Sequence, residues 1–268
     1  MTEALDPGPR AWRWVAIVGS LALTLTLLPI TPASAQRTIE NACPPGADLE
    51  DPGFPDQAAL SSGNELEIIC AYNWGLIKGK ADGTFGTRDG LNRAQLATLT
   101  LRLLEAARVE LGTDPAPADT FTDTAAIPAV HRENVLTAAA LGIVVGFEDG
   151  SFRPAATVTR GQAASILIHT QLLINEAYDI SSEDLEAYID TLDFDAEFTD
   201  VAGNVHEDSI VLLGLLGVVG GYSDGTYRPG SPLVRGHMAA LLARHIDVLA
   251  DLDLEDLAPI HTQQRAPR

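Results

Sequence analysis

The chain has 268 residues, of which 46% are hydrophobic and 20% charged, with a formal net charge of −20. This composition describes a folded protein rather than a disordered one. The acidity excludes nucleic acid and an anionic membrane as main partners, because phosphate binding needs net or patchy positive charge.

The N-terminus reads as a targeting segment. Arg10 and Arg13 precede an apolar run over 14–30, and Ala33-Ser34-Ala35 has the small-x-small form of a signal-peptidase site. A signal peptide over 1–35, cleaved before Gln36, is expected, followed by a linker over 36–53. An uncleaved anchor helix is the other reading of the same run. The two cysteines, Cys43 and Cys70, then make one disulfide in an exported chain. A bond closing such a loop contributes about 2–4 kcal/mol.

Beyond the linker one pattern is written three times. Residues 75–93, 142–160 and 217–235 each run from a Gly to a second Gly four residues on (Gly79, Gly146, Gly221). Asp-Gly, an aromatic and an Arg follow, and the first Gly stands eighteen residues before the Arg in every copy. Self-similarity of this kind fixes the architecture before any local assignment does.

Upstream of each block lies Phe-x-Asp: Phe54 with Asp56, Phe121 with Asp123, Phe198 with Asp200. These aspartates suit helix starts or turns. Helical stretches are expected over 66–74, 132–141 and 207–216, each closed by a glycine (Gly75, Gly142, Gly217) suited to a left-handed helix terminus. Asp82-Gly83, Asp149-Gly150 and Asp224-Gly225 read as tight turns. A calcium loop would need alternating acids and a terminal Glu, which the pattern lacks.

A second helix starts near each Arg. Asn92 with Gln95 and Thr159 with Gln162 fit capping boxes, while Val234 offers the third helix no capping side chain. Leu96, Leu99, Leu103 and Ala107 then recur at helical spacing. Between copies two and three, 175–197 reads as an acidic, solvated spacer with a short helix near Ser181. The C-terminal tail, 250–268, is acidic and then basic.

Phe-x-Asp, a helix, Gly-x-x-x-Gly, Asp-Gly-x-aromatic-Arg-Pro and Thr-Arg before an apolar helix together resemble the S-layer homology (SLH) domain. The likeness covers about 54–249, as repeats over 54–111, 121–174 and 198–249, and is clearest in copy two. It implies a mainly α fold: three tandem helix-loop-helix repeats in a pseudo-threefold bundle. It also implies a non-covalent anchor whose grooves between repeats bind an anionic, often pyruvylated, secondary cell-wall polysaccharide.

The family's ligand-contacting Arg corresponds to Arg93, Arg160 and Arg235. A guanidinium can grip a carboxylate through two parallel hydrogen bonds. At the first turn of a helix it would stand beside unsatisfied backbone N–H groups, an anion site in itself. Gly79, Gly146 and Gly221 would let backbone approach a sugar closely. With Asp56, Asp123 and Asp200 they complete the expected glycan-binding set.

The copies depart from the pattern. The family's Glu is Gln95, Gln162 and His237 here, and copy one has Gly86-Thr87 where Arg153-Pro154 and Arg228-Pro229 stand. Copy one is therefore expected to be the weakest motif. His131 and His206 read as hydrogen-bonded surface residues.

No nucleophile–base signature, metal-ligand spacing or phosphate loop is present. The chain reads as a non-enzyme without cofactors, exported to the cell wall or surface, with the wall polysaccharide as its partner and no membrane contact after signal cleavage. The alternative is a structural protein whose repeats bind other envelope proteins.

Overall fold

The computed structural model describes residues 37–59, 64–111, 116, 119–194 and 196–252. The expected signal peptide and its cleavage site lie outside these residues, as does the tail beyond Leu252. Seven α-helices are described: α1 Glu65–Asn73, α2 Arg93–Ala106, α3 Ala129–Ala140, α4 Arg160–Ala177, α5 Ser182–Ile189, α6 Glu207–Leu215 and α7 Arg235–Asp251. No β-strand occurs among the described residues, and no described helix is long and apolar enough to cross a membrane.

The expected helix ends are present. Gly75, Gly142 and Gly217 stop α1, α3 and α6 at φ of 73°, 71° and 71°, a conformation that costs glycine little. Asn92–Gln95 and Thr159–Gln162 form full capping boxes on α2 and α4, while Val234 gives α7 no side-chain cap.

Each copy's second helix packs on the first helix of the next copy: α2 on α3, α4 on α6, and α7 back on α1, with α2 also touching α4. The ring therefore closes. At its centre three backbone hydrogen bonds run head to tail: Leu91 N–H to Leu233 O, Leu233 N–H to Val158 O, and Val158 N–H to Leu91 O, each 2.9 Å. Isolated antiparallel bridges Gly90–Val234, Asn92–Thr157 and Thr159–Pro232 flank them. No copy completes its core alone, as in other repeat architectures.

This closure corrects one expectation. The first N–H groups of the second helices are not open to an anion. Arg93 and Ala94 donate to Ala156 O and Pro154 O, Arg160 and Gly161 to Ser231 O and Pro229 O, and Arg235 and Gly236 to Asp89 O and Thr87 O. The donors that a free helix end leaves unpaired are used to join the copies.

The expected linker over 36–53 and the expected solvated spacer over 175–197 both make contacts with the repeats. Helix α7 is buried along nearly its whole length and carries Arg244, His245 and Asp247 inside. Buried charge needs partners. Asp247 finds them in the N-terminal segment, accepting from Asn41 N (2.7 Å), Ala42 N (2.9 Å) and Arg37 Nη1 (3.1 Å). Arg37 also donates to Leu216 O and Asp251 and contacts the Tyr188 hydroxyl, so the expected linker is a strap. Tyr188 lies on α5, whose Leu185 is buried, so the expected spacer is likewise anchored. The Cys43–Cys70 disulfide fixes the strap to α1, and Trp74 Nε1 donates to Ala42 O at 3.0 Å beside it.

Candidate functional site

Each copy's Gly-to-Arg block folds into a loop held by its own Phe-x-Asp. Asp56 Oδ1 accepts from Phe85 N, and Oδ2 from Gly86 N and Thr87 N, each at 2.8 Å. Asp123 accepts from Phe152 N (2.7 Å) and Arg153 N (2.8 Å), and Asp200 from Tyr227 N (2.7 Å) and Arg228 N (2.8 Å). Burial raises the pKa of Asp56, but the N–H groups of Thr87, Phe85 and Gly86 outweigh it and hold the carboxyl below its ordinary range. These aspartates are loop clamps reaching across 27 to 31 residues, not helix caps.

The second glycines serve the same packing. A Cβ on Gly79 would meet the Phe54 ring at 2.4 Å, and one on Gly146 would meet Phe121 and Ser151 O at 3.1 Å. Their bareness admits the Phe of Phe-x-Asp, which packs on the loop aromatic: Phe54 on Phe85, Phe121 on Phe152, Phe198 on Tyr227. Gly221 is half-buried in the third loop, next to Gly220.

The motif arginines reach out of their own copies. Arg93 donates from Nε to Phe152 O (2.8 Å) and from Nη2 to Val145 O (2.8 Å), in the copy-two loop. Arg160 donates to Tyr227 O (2.8 Å) and Gly220 O (3.2 Å) in copy three. Arg235 donates to Phe85 O (2.9 Å) and Lys78 O (3.1 Å) in copy one. Each guanidinium also lies over the aromatic of the receiving loop, at 4.7 Å for Phe152, 4.3 Å for Tyr227 and 4.7 Å for Phe85. None of the three forms an ion pair among the described residues, so Nη1 and one N–H of Nη2 have no described partner. Burial, then the neighbouring Arg153 charge, lowers the Arg93 pKa against the pull of Asp123.

The loops differ where the sequence reading expected a weak copy. In copies two and three an aromatic at the sixth block position, Phe147 or Tyr222, is covered by Arg153 (3.9 Å) or Arg228 (3.8 Å). These arginines pair with Asp149 (2.8 Å) and Asp224 (2.7 Å). They also hold left-handed backbone, φ 56° and 61°, where copy one places Gly86 at 76°. Copy one has Lys80 in place of the aromatic, paired with Asp89 at 2.9 Å.

That difference opens a cleft of about 260 Å³ at the copy-one loop. Its lining includes Lys78, Lys80, Arg102, Arg235 and His131, and no carboxylate. Arg102 donates to Leu76 O at 3.1 Å, and His131 Nδ1 meets Thr98 Oγ1 at 2.8 Å. His206 meets Ser165 in the same way, so both histidines clip one copy's second helix to the next copy's first. Burial, then the charges of Arg102 and Arg235, pushes the His131 pKa down.

A closed ring of three helix pairs, stapled by arginines between repeats, defines a repeat module with a cleft at the copy-one loop. Residues 67–97, 120–164 and 216–239 match the S-layer homology domain, one segment in each copy, consistent with three tandem repeats of that kind. Over 174 residues, 64% of this chain, it is 25% identical to cell surface glycoprotein 1 of Acetivibrio thermocellus, covering 7% of that protein. Over 101 residues, 38% of this chain, it is 31% identical to an endoglucanase of Bacillus sp. (strain KSM-635), covering 11% of it. The chain thus spans about a tenth or less of the relatives it matches.

Proposed function

We propose that the chain attaches to the cell wall by binding an anionic secondary polysaccharide, with carboxylate-bearing sugars such as pyruvyl ketals, in the grooves between its repeats. The carboxylate-free, cation-lined cleft in a chain of net charge −20 carries this reading. Arg93, Arg160 and Arg235 shape these grooves and keep part of each guanidinium for a carboxylate. Gly79, Gly146, Gly221, Asp56, Asp123 and Asp200 support the ligand indirectly, by holding the loops that form the groove walls. The chain is not an enzyme on this reading and uses no cofactor; catalytic activity belongs to other proteins or domains at the surface.

Co-sedimentation of the purified chain with wall sacculi tests the proposal, before and after mild acid removes acid-labile ketals. Binding should fall sharply after the acid step and with rising salt. Equal binding to treated and untreated walls would remove the anionic sugar from the mechanism.

A further inference from the structure

The three seams between copies share a backbone pattern but not a charge, and the positions that differ lie outside the motif arginines. At the fourth block position stand Lys78, Val145 and Gly220, and at the sixth Lys80, Phe147 and Tyr222. Nine residues beyond the motif Arg stand Arg102, His169 and Arg244. Copy one is cationic at all three.

Arg244 does not compensate in copy three. It is buried and pairs with Glu67 at 2.9 Å. The motif Arg there, Arg160, is only 9% exposed. In copy two, the position of Arg102 is taken by an exposed His169 whose pKa desolvation lowers, Val145 is 72% exposed, and Arg153 is occupied by Asp149 and Phe147. At the copy-one loop Lys78 is exposed and Arg102 half-buried, with no ion pair for either among the described residues. Lys78 and Arg102 stand between this cleft and a wider trough that they also line together with Glu105, Glu110 and Glu133; none of those three glutamates lines the cleft itself.

We infer that the chain binds one anionic group, at the copy-one loop, where Lys78 and Arg102 join Arg235 to select a carboxylate or comparable anion on a sugar. The other two grooves take neutral sugar surface at most. This rests on the wall-glycan reading and refines it: anion recognition comes from residues outside the repeat motif, in the copy whose motif is least complete. A cleft of about 260 Å³ is near the lower end of small-molecule pockets, about 300 Å³. It suits roughly one ketal-bearing sugar ring.

The test is titration calorimetry of the purified chain. The probe is the methyl glycoside of a hexosamine bearing a 4,6-linked pyruvyl ketal, with its uncharged methyl ester as control. Wild type should bind the acid with a stoichiometry of one and the ester much more weakly. The double variant Lys78→Val/Arg102→His, which installs the copy-two residues, should lose about a hundredfold in affinity, two charge-assisted contacts of about tenfold each. The converse Val145→Lys/His169→Arg should gain a second, weaker site. Unchanged thermal unfolding checks that each variant is folded.

Binding at two or three equal sites, or full affinity in Lys78→Val/Arg102→His, would overturn the single-cleft assignment and leave the wall-glycan reading intact. Equal binding of acid and ester would overturn anion selection in this cleft. If neither the probe nor acid-sensitive wall binding is seen, the wall-glycan reading fails and this inference with it.

Discussion

At the copy-one loop, Lys78 and Lys80 share a cleft with Arg102 and Arg235. At the copy-two loop the matching positions are Val145, Phe147, His169 and Arg93. Both loops are clamped by the same aspartate, wedged by the same phenylalanine and stapled by an arginine from the preceding copy in the ring. The shared residues therefore build the groove, and the unshared ones give it chemistry. The Gly, Asp and Arg positions satisfy backbone groups that every copy must satisfy. A side chain that only faces the groove is free to vary between copies.

The largest effect should come from the clamps, and its size should separate the copies. Asp56 accepts three backbone N–H groups, while Asp123 and Asp200 accept two each. Asp56→Ala should cost on the order of 4 kcal/mol in urea unfolding, because charge-assisted bonds are lost and donors left unpaired. Asp123→Ala and Asp200→Ala should cost less. Equal losses at all three would show that loop closure, not bond number, sets the cost.

A second difference lies in the bundle. One residue past Arg102, His169 and Arg244 stand Leu103, Thr170 and His245, all fully buried. His245 Nε2 donates to Gln171 Oε1, its Nδ1 has no partner among the described residues, and burial pushes its pKa down to about 4. The unfolded chain takes up that proton near pH 6.5. Stability should therefore be lost as pH falls from about 6.5 to about 4, by about 3 kcal/mol from this group. His245→Leu, which installs the copy-one residue, should remove that part of the slope in urea titrations at several pH values. An unchanged slope would assign the acid sensitivity to the carboxylates instead.

The arginine staples come next. Arg160→Ala should cost about 2 kcal/mol, for two hydrogen bonds and the contact over Tyr227. Arg93→Ala and Arg235→Ala, which are more exposed, should cost less. If Arg235→Ala also abolishes wall binding while Arg93→Ala does not, the grooves differ in function as they do in charge.

Much of this was legible in the sequence. The helix-ending glycines, both capping boxes and the missing cap at Val234 are local signals, fixed within four residues. The destinations of the side chains were not. Arg93 is bound to carbonyls 52 and 59 residues away, and a backbone carbonyl leaves no residue-type signature. Asp56 looked like a turn residue because its partners, 29 to 31 residues on, are N–H groups that every residue but proline has. Arg102 is hidden in a helix by apolar neighbours, and Arg153 and Arg228 look like motif residues although they cover the groove aromatics Phe147 and Tyr222. The usable signal was the disagreement among copies at 78, 80 and 102. Aligning the copies to find what they share set those positions aside.

The smallest effect bears on why copy one lacks an Arg at position 86. Arg153 and Arg228 hold left-handed backbone, which costs a non-glycine residue roughly 1–2 kcal/mol, whereas Gly86 adopts it freely. Against that stand one exposed ion pair, which solvent screens to a small contribution, and one exposed guanidinium–ring contact, which is likewise weak. These terms nearly cancel, so Arg153→Gly should change stability by less than about 1 kcal/mol. The reverse change, Gly86→Arg, has the strain without the stack, because Lys80 occupies the aromatic's position. It also crowds Asp89, since a Cβ on Gly86 would meet that carboxylate at 2.4 Å. It should destabilise by about 1–2 kcal/mol, with the full difference visible as a shift in urea midpoint. A neutral Gly86→Arg would mean that the loop relaxes, and that the arginine's absence from copy one has no conformational cause.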